Sequence, residues 1–139
     1  MADWLLDSDV VIWHLRGDES VVRRVVALSR QGRIGLSVIT RAEVIQGMRE
    51  PEREGTFEFL DACQTLPVDQ AVADRAGEIV RSQPIQGITI DLPDALIGAT
   101  ALEAEIPLYT CNPRHFPMLG LELRTVVASQ ATKTAKSGE

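Results

Sequence analysis

Short apolar runs alternate with longer amphipathic stretches along the chain. The contiguous runs predict buried strands, whereas apolar residues that recur every three or four positions predict helices with one buried face. The predicted strands are residues 3–7, 34–38, 64–68, 107–111 and 121–125. The predicted helices are residues 9–15, 19–31, 41–50, 54–62, 70–82 and 92–105. Alternation of strands and helices is typical of a parallel sheet with helices on both faces. We therefore expect a three-layer α/β domain.

Polar residues and prolines refine the ends of these elements. Asp9 and Thr40 are the expected caps of the first and third helices, and Asp18 has the same character before the second. Pro67 predicts an edge position for the third strand, since proline donates no backbone hydrogen bond. Residues 84–91 are expected to form a loop.

The composition is that of an ordinary globular protein until the last segment. Of the 139 residues, 45% are hydrophobic and 24% are charged, which is enough for a single domain with its own core. After about residue 128 the chain becomes rich in Ala, Thr, Ser, Gln, Lys and Gly. We expect one domain over residues 1–128 and a disordered tail over residues 129–139. No signal region or membrane span is evident, so we expect a cytoplasmic protein.

Charge and aromatic content limit the possible modes of nucleic-acid binding. The net charge is −6, which argues against extended binding to a polyanion, because such affinity comes chiefly from Lys and Arg. Only 4% of residues are aromatic, so a base-stacking platform is not expected. The two cysteines fit no zinc-binding spacing.

Acidic and amide side chains fall where the chemistry of a parallel α/β sheet is normally placed. Asp7 ends the first strand, Glu43 lies near the start of the helix after the second, and Asn112 follows the fourth. Asp91 and Asp94 begin the last helix. The carboxyl ends of parallel strands share one edge of the sheet, so these side chains are expected to converge there.

Converging carboxylates repel one another unless a cation lies between them. Oxygen-ligated Mg²⁺ or Mn²⁺ fits such a group, and either ion can activate water for attack on phosphorus. Glu43 and Asp94 each have a glycine four positions later, Gly47 and Gly98, which suggests space beside both carboxylates. Asp91 has a structural alternative as a helix cap. The pattern predicts a carboxylate metal site of unspecified class.

Four blocks of sequence, taken together, resemble the PIN-domain ribonucleases, specifically toxins of the VapC type. The blocks are residues 5–10 (LLDSDV), 36–47 (LSVITRAEVIQG), 94–101 (DALIGATA) and 108–116 (LYTCNPRHF). The resemblance extends from residue 3 to about residue 126. It implies a five-stranded parallel sheet and a pocket that cleaves RNA phosphodiester bonds with Mg²⁺ or Mn²⁺. It also implies a homodimer held inactive by a cognate antitoxin protein.

The resemblance assigns roles at matching positions. Asp7, Glu43 and Asp94 match the three principal acids, which act as metal ligands, and Asn112 matches an auxiliary ligand or positioning residue. Ser8 and Thr110 match small hydroxyl residues beside the acids. The chain departs from the pattern at His115, where members of the family often have an acid, and this leaves a second metal position open. Arg41 and Arg114 are further candidates for phosphate contacts.

Two alternatives remain open from the sequence. A degenerate PIN fold would act only as a binding module, and the substitution at His115 is the one hint of it. A phosphatase of the haloacid-dehalogenase type would use Asp7 as nucleophile and Asp9 as acid and base. That family also needs a Gly-Thr after the pair and a later lysine, whereas here Val10 and Val11 follow and the first lysine is Lys133.

Overall fold

A computed structural model describes residues 1–82 and 89–129, within which five strands and six α-helices are found. The strands are β1 (Trp4–Leu6), β2 (Ile34–Ser37), β3 (Gln64–Leu66), β4 (Leu108–Thr110) and β5 (Leu123–Thr125). The helices are α1 (Ser8–Leu15), α2 (Glu19–Gln31), α3 (Val38–Gly47), α4 (Arg53–Ala62), α5 (Gln70–Ser82) and α6 (Leu92–Ala104). Two single-turn 3₁₀ helices occupy Glu50–Glu52 and Pro113–His115.

The five strands form one parallel sheet in the order β3-β2-β1-β4-β5. The expected α/β class, with a five-stranded parallel sheet, is therefore confirmed, as is the edge position of β3. The chain adds β2 and β3 on one side of β1 and then adds β4 and β5 on the other. The order of the strands thus reverses at β1, and the crevice at the carboxyl end of such a reversal is the usual ligand site of an open α/β sheet.

Two apolar layers cover the two faces of the sheet. Leu5 and Leu6 are both fully buried but belong to different layers, as the alternation of side chains along a strand requires. The layer that contains Leu6 includes buried residues of α1, α2 and α4. The layer that contains Leu5 is built with α5 and α6, and most of the buried residues of α6 are small. This packing fixes the amino ends of α1, α3 and α6 around the sheet.

The bounds of α2 and α5 match the predicted ranges, but two expected caps are wrong. Asp7, not Asp9, caps α1, and its side chain accepts a hydrogen bond from the Val10 amide. Ser37, not Thr40, caps α3, which begins at Val38, three residues before the predicted start. In both places a strand leads directly into the helix, and two polar residues near the junction could each act as the cap.

Two further expectations fall largely or wholly outside the described residues. The predicted loop over 84–91 includes residues 84–88, and the predicted tail includes residues 130–139, none of which the structure describes. Among the helices of the described ranges, none has both the length and the apolar character needed to cross a bilayer.

Candidate active site

Asp7 lies at the carboxyl end of the central strand and is only 4% exposed. Its Oδ1 accepts a hydrogen bond of 3.0 Å from the Val10 amide, and its Oδ2 accepts one from the Thr110 hydroxyl at the end of the neighbouring β4. Burial raises the pKa of Asp7 to about 7, against the lowering effect of these two hydrogen bonds. The nearby carboxylates of Asp9 and Asp94 add to the rise. The side chain is thus fixed in position, and its charged form is disfavoured.

Glu43 reaches the same region from α3. The Ser8 hydroxyl donates a hydrogen bond of 2.6 Å to Glu43 Oε1 and lies 3.3 Å from the Thr40 hydroxyl. Because α3 begins at Val38, Glu43 is about one and a half turns into the helix and not in its first turn. The residue after Asp7 therefore orients the second acid across the gap between α1 and α3.

Asp94 lies in the first turn of α6 and is half-buried. Burial raises its pKa, the charge of His115 opposes this effect, and the carboxylates of Glu43, Asp91 and Asp9 increase it. His115 Nδ1 is 3.7 Å from Asp94 Oδ2, and the imidazole is 53% exposed. His115, the residue at which the chain departs from the family pattern, thus lies beside Asp94.

These three acids line one cleft of about 190 Å³. Its walls are formed by Asp7, Ser8, Asp9, Glu43, Asp94, Ile97, His115 and Phe116. The structure therefore brings Asp7, Glu43 and Asp94 together from β1, α3 and α6. Asn112 is not part of the wall, but its Nδ2 donates a hydrogen bond of 3.0 Å to Asp9 Oδ2.

Asp9 is the cleft residue whose position the sequence reasoning missed. Asp9 was expected to cap α1, but it is the second residue of that helix and part of the cleft wall. The available signal was the spacing of Asp7 and Asp9, since a helix that begins at Ser8 places both of them at its amino end. Sequence alone did not distinguish which of the two acids is the cap.

Three other candidates lie away from the cleft wall. Arg41 forms an ion pair of 2.8 Å with Asp61 and lies over the Phe57 ring, so it is already engaged elsewhere. Arg114 is exposed in the 3₁₀ helix that carries His115. Asp91 precedes α6 and is exposed, and its side chain makes no capping hydrogen bond in the described structure.

Gly47 and Gly98, which follow Glu43 and Asp94 by four positions, differ in the space around them. At Gly47 an added Cβ would meet no atom within 4 Å, in agreement with the space expected beside Glu43. At Gly98 it would lie 3.0 Å from both Sδ and Cε of Met118. The expectation of open space beside Asp94 is wrong here, because Gly98 is needed for close packing of Met118 against α6.

The donor set fits a hard divalent cation. The cleft presents carboxylate oxygens, and Mg²⁺ and Mn²⁺ bind such oxygens while retaining several waters. A cation would also relieve the repulsion that contributes to the raised pKa of Asp7 and Asp94. Within residues 1–82 and 89–129, no three His, Cys, Asp or Glu side chains meet the geometry of a complete metal centre.

The PIN domain family model matches residues 4–118, so the chain belongs to the PIN-domain family. The curated relatives include Ribonuclease VapC10 of Mycobacterium tuberculosis (strain CDC 1551 / Oshkosh), 39% identical over 82% of this chain and 86% of that protein. Ribonuclease VapC19 of the same strain is 33% identical over 82% of this chain and 92% of that protein. This membership confirms the resemblance seen in the sequence and gives no support to a phosphatase of the haloacid-dehalogenase type.

Solved structures agree with this assignment at the level of the fold. A chain in the crystal structure of DNA-bound VapBC from Salmonella typhimurium superposes with a TM-score of 0.78 at 24% identity. The match covers 90% of this chain and 98% of that chain. The three-layer arrangement is therefore that of a PIN domain.

Proposed function

We propose that this protein is a metal-dependent endoribonuclease toxin that hydrolyses RNA phosphodiester bonds. The observation that carries the proposal is the meeting of Asp7, Glu43 and Asp94 in one cleft at the point where the strand order reverses. The two M. tuberculosis relatives are named as ribonucleases, which supports RNA as the substrate class. The cleft would need a bound cation to accept a phosphodiester, because its carboxylates and the net charge of −6 give no attraction for a polyanion.

Asp7, Glu43 and Asp94 would hold Mg²⁺ or Mn²⁺ in this cleft. When bound, such an ion lowers the pKa of a coordinated water and neutralises charge on the phosphate. The side chains of the protein provide the geometry. Thr110 and the Val10 amide fix the Asp7 carboxylate, and Ser8 holds Glu43.

His115 and Arg114 are the proposed phosphate contacts. His115 lies at the cleft with more than half of its side chain exposed, and Arg114 precedes it in the same 3₁₀ helix. The position of His115 beside Asp94 suits a contact with a phosphate bound in the cleft, and Arg114 is close to His115 in the chain. Arg41 is less suited to this role, because its guanidinium is paired with Asp61.

The direct test is cleavage of total RNA by the purified full-length chain. We expect cleavage with Mg²⁺ and none with chelator. Asp7→Asn is expected to lose activity by at least about a hundredfold, since a metal site contributes several kcal/mol to such a reaction. Asp3→Asn is the matched control, because Asp3 stands at the other end of β1 and an asparagine oxygen can still accept from the Arg33 amide.

Three results would contradict the proposal. Equal cleavage by wild type, Asp7→Asn and chelated protein would exclude a metal mechanism at this cleft. Cleavage of single-stranded DNA as rapidly as RNA would overturn the substrate class. Failure of the wild type to cleave a broad set of RNAs would favour the catalytically degenerate binding module.

We also propose a cognate antitoxin as protein partner, bound through a groove beside the cleft. The groove, of about 210 Å³, is lined by apolar side chains that include Ile12, Leu15, Val44 and Met48, with Arg16, Arg49 and Glu52 at its polar positions. It lies along α1 and α3, the helices that carry Ser8 and Glu43. An amphipathic antitoxin segment in this groove would extend directly toward the acids.

Co-expression with a small neighbouring reading frame tests the partner. We expect the antitoxin to co-purify with the protein and to inhibit RNA cleavage. Met48→Asp should weaken antitoxin binding. Leu119→Asp, which alters an exposed apolar residue outside the groove, should leave it unchanged. Full binding by Met48→Asp would exclude this groove as the antitoxin-binding site.

We further propose that the protein is a homodimer and that it is cytoplasmic. Light scattering of the purified protein tests the first, and cell fractionation tests the second.

A further inference from the structure

Asp9 occupies the cleft wall together with the three proposed metal ligands. It is the second residue of α1, so its carboxylate projects from the amino end of that helix beside Asp7. Its charge raises the pKa of both Asp7 and Asp94. Asp9 is therefore electrostatically close to two of the acids that belong to different elements.

Asn112 connects Asp9 to the end of β4. Its Nδ2 donates to Asp9 Oδ2 at 3.0 Å, and its backbone amide donates to Thr110 Oγ1 at 2.9 Å. The Thr110 hydroxyl in turn donates to Asp7. The carboxylates of Asp7 and Asp9 are thus held by Thr110 and Asn112, which lie two positions apart at the end of β4.

The hydrogen bond from Asn112 leaves Asp9 able to serve a cation. A carboxylate offers about four acceptor positions, so one amide bond orients the group without exhausting it. The amide is neutral and supplies no compensating charge. A purely structural function, the stabilisation of the α1 dipole by an acidic residue in its first turn, needs no such bond to a distant strand.

We infer that Asp9 is a fourth carboxylate directed at the divalent cation, and that Asn112 is its positioning residue and not itself a ligand. This inference rests on the proposed function, since it concerns the same cleft. It assigns metal binding to Asp9, which the sequence did not indicate. Of the two roles expected for Asn112, auxiliary ligand and positioning residue, it keeps only the second.

The test is Mn²⁺ binding to the purified full-length chain by isothermal titration calorimetry, without RNA. Asp9→Asn keeps the shape and an acceptor for Asn112, and we expect it to weaken binding roughly tenfold. Asn112→Ala is expected to weaken binding by no more than Asp9→Asn does. The double variant should bind no more weakly than Asp9→Asn, because Asn112 acts through Asp9. Asp74→Asn, an exposed residue of α5 outside the cleft wall, is the charge-matched control.

The outcomes separate this inference from the proposed function. If Asp7→Asn abolishes binding while Asp9→Asn binds within about twofold of wild type, the role of Asp9 is overturned and the metal site stands. Independent, multiplying losses from Asp9→Asn and Asn112→Ala would make Asn112 a ligand in its own right. Absence of binding by the wild type, or equal binding by Asp7→Asn, would overturn both proposals. Unfolding temperatures in chelator verify that each variant is folded.

Discussion

Asp7 and Asp18 are two buried aspartates that cap helices, but their surroundings differ. Asp18 is fully buried, and its Oδ1 accepts from the Val21 amide and from both the amide and the hydroxyl of Ser129. Asp7 is 4% exposed and accepts from one amide and one hydroxyl, with the carboxylates of Asp9 and Asp94 nearby. The same residue type thus performs the same local task with different hydrogen-bond partners.

The difference shows that burial and capping do not by themselves identify a functional aspartate. Asp18 joins the start of α2 to the end of the described chain, so its hydrogen bonds stabilise the fold. Burial, and to a smaller extent the neighbouring acids, disfavour the charged form of Asp7, and a bound cation would relieve the repulsion between the carboxylates. The neighbours of the carboxylate, and not the carboxylate itself, distinguish a structural site from a catalytic one.

The largest expected contrast is in RNA cleavage. Asp7→Asn should lose activity by at least about a hundredfold, whereas Asp18→Asn should stay within about threefold of wild type, because its amide oxygen can still accept the same hydrogen bonds. Initial rates on one RNA substrate with Mg²⁺ measure both variants. Similar losses in the two would eliminate the functional distinction between these aspartates.

Unfolding in urea should show the opposite ranking, with a larger loss of stability from a substitution at Asp18 than from one at Asp7. Asp18→Ala leaves the buried Val21 amide and the part-buried Ser129 amide without their acceptor. This is expected to reduce the free energy of unfolding by about 2 kcal/mol. Asp7→Asn, measured at pH 8 in chelator, should raise the free energy of unfolding, because it removes a buried charge. A destabilised Asp7→Asn protein under these conditions would contradict the electrostatic description of the cleft.

The pH dependence of stability sharpens the same contrast. The pKa of Asp7 is about 7 in the folded protein and lies above its usual value of 3.8. Folding therefore favours the protonated form of Asp7. The stability that this group contributes is fully present below about pH 4 and is lost as the pH rises to about 7. In chelator, the unfolding temperature of wild type should fall relative to that of Asp7→Asn by about 5 °C or more across this range. Parallel curves for the two proteins would exclude a raised pKa at Asp7.

The smallest expected effect concerns the Thr110 hydroxyl. Thr110→Val removes a hydrogen bond that lowers the pKa of Asp7, so the midpoint of the pH-dependent difference should move upward, by less than about one pH unit. Carboxyl-carbon NMR titration of Asp7 measures this shift. A downward movement of the midpoint would show that Thr110 does not stabilise the charged form.

Sequence patterns predicted the sheet and the convergence of Asp7, Glu43 and Asp94, because strand ends in a parallel sheet meet by geometry. They also predicted the bounds of α2 and α5, in which apolar residues recur at regular intervals between polar ends. The caps of α1 and α3 were mistaken, since Asp7 and Asp9, like Ser37 and Thr40, can each cap a helix. Only tertiary contacts decide where each helix begins. The packing of Met118 on Gly98 and the bond between Asn112 and Asp9 join distant segments, and no local pattern predicts either.

Anomalous diffraction from a crystal equilibrated with Mn²⁺ tests the central claim most directly. We expect a strong anomalous peak in the cleft, at about 2.1 Å from carboxylate oxygens of Asp7, Glu43 or Asp94. The same crystal form of Asp7→Asn should show a weaker peak or none. Saturating Mn²⁺ with no peak in the cleft, or a peak of equal height in Asp7→Asn, would contradict the assignment of these acids to a metal site.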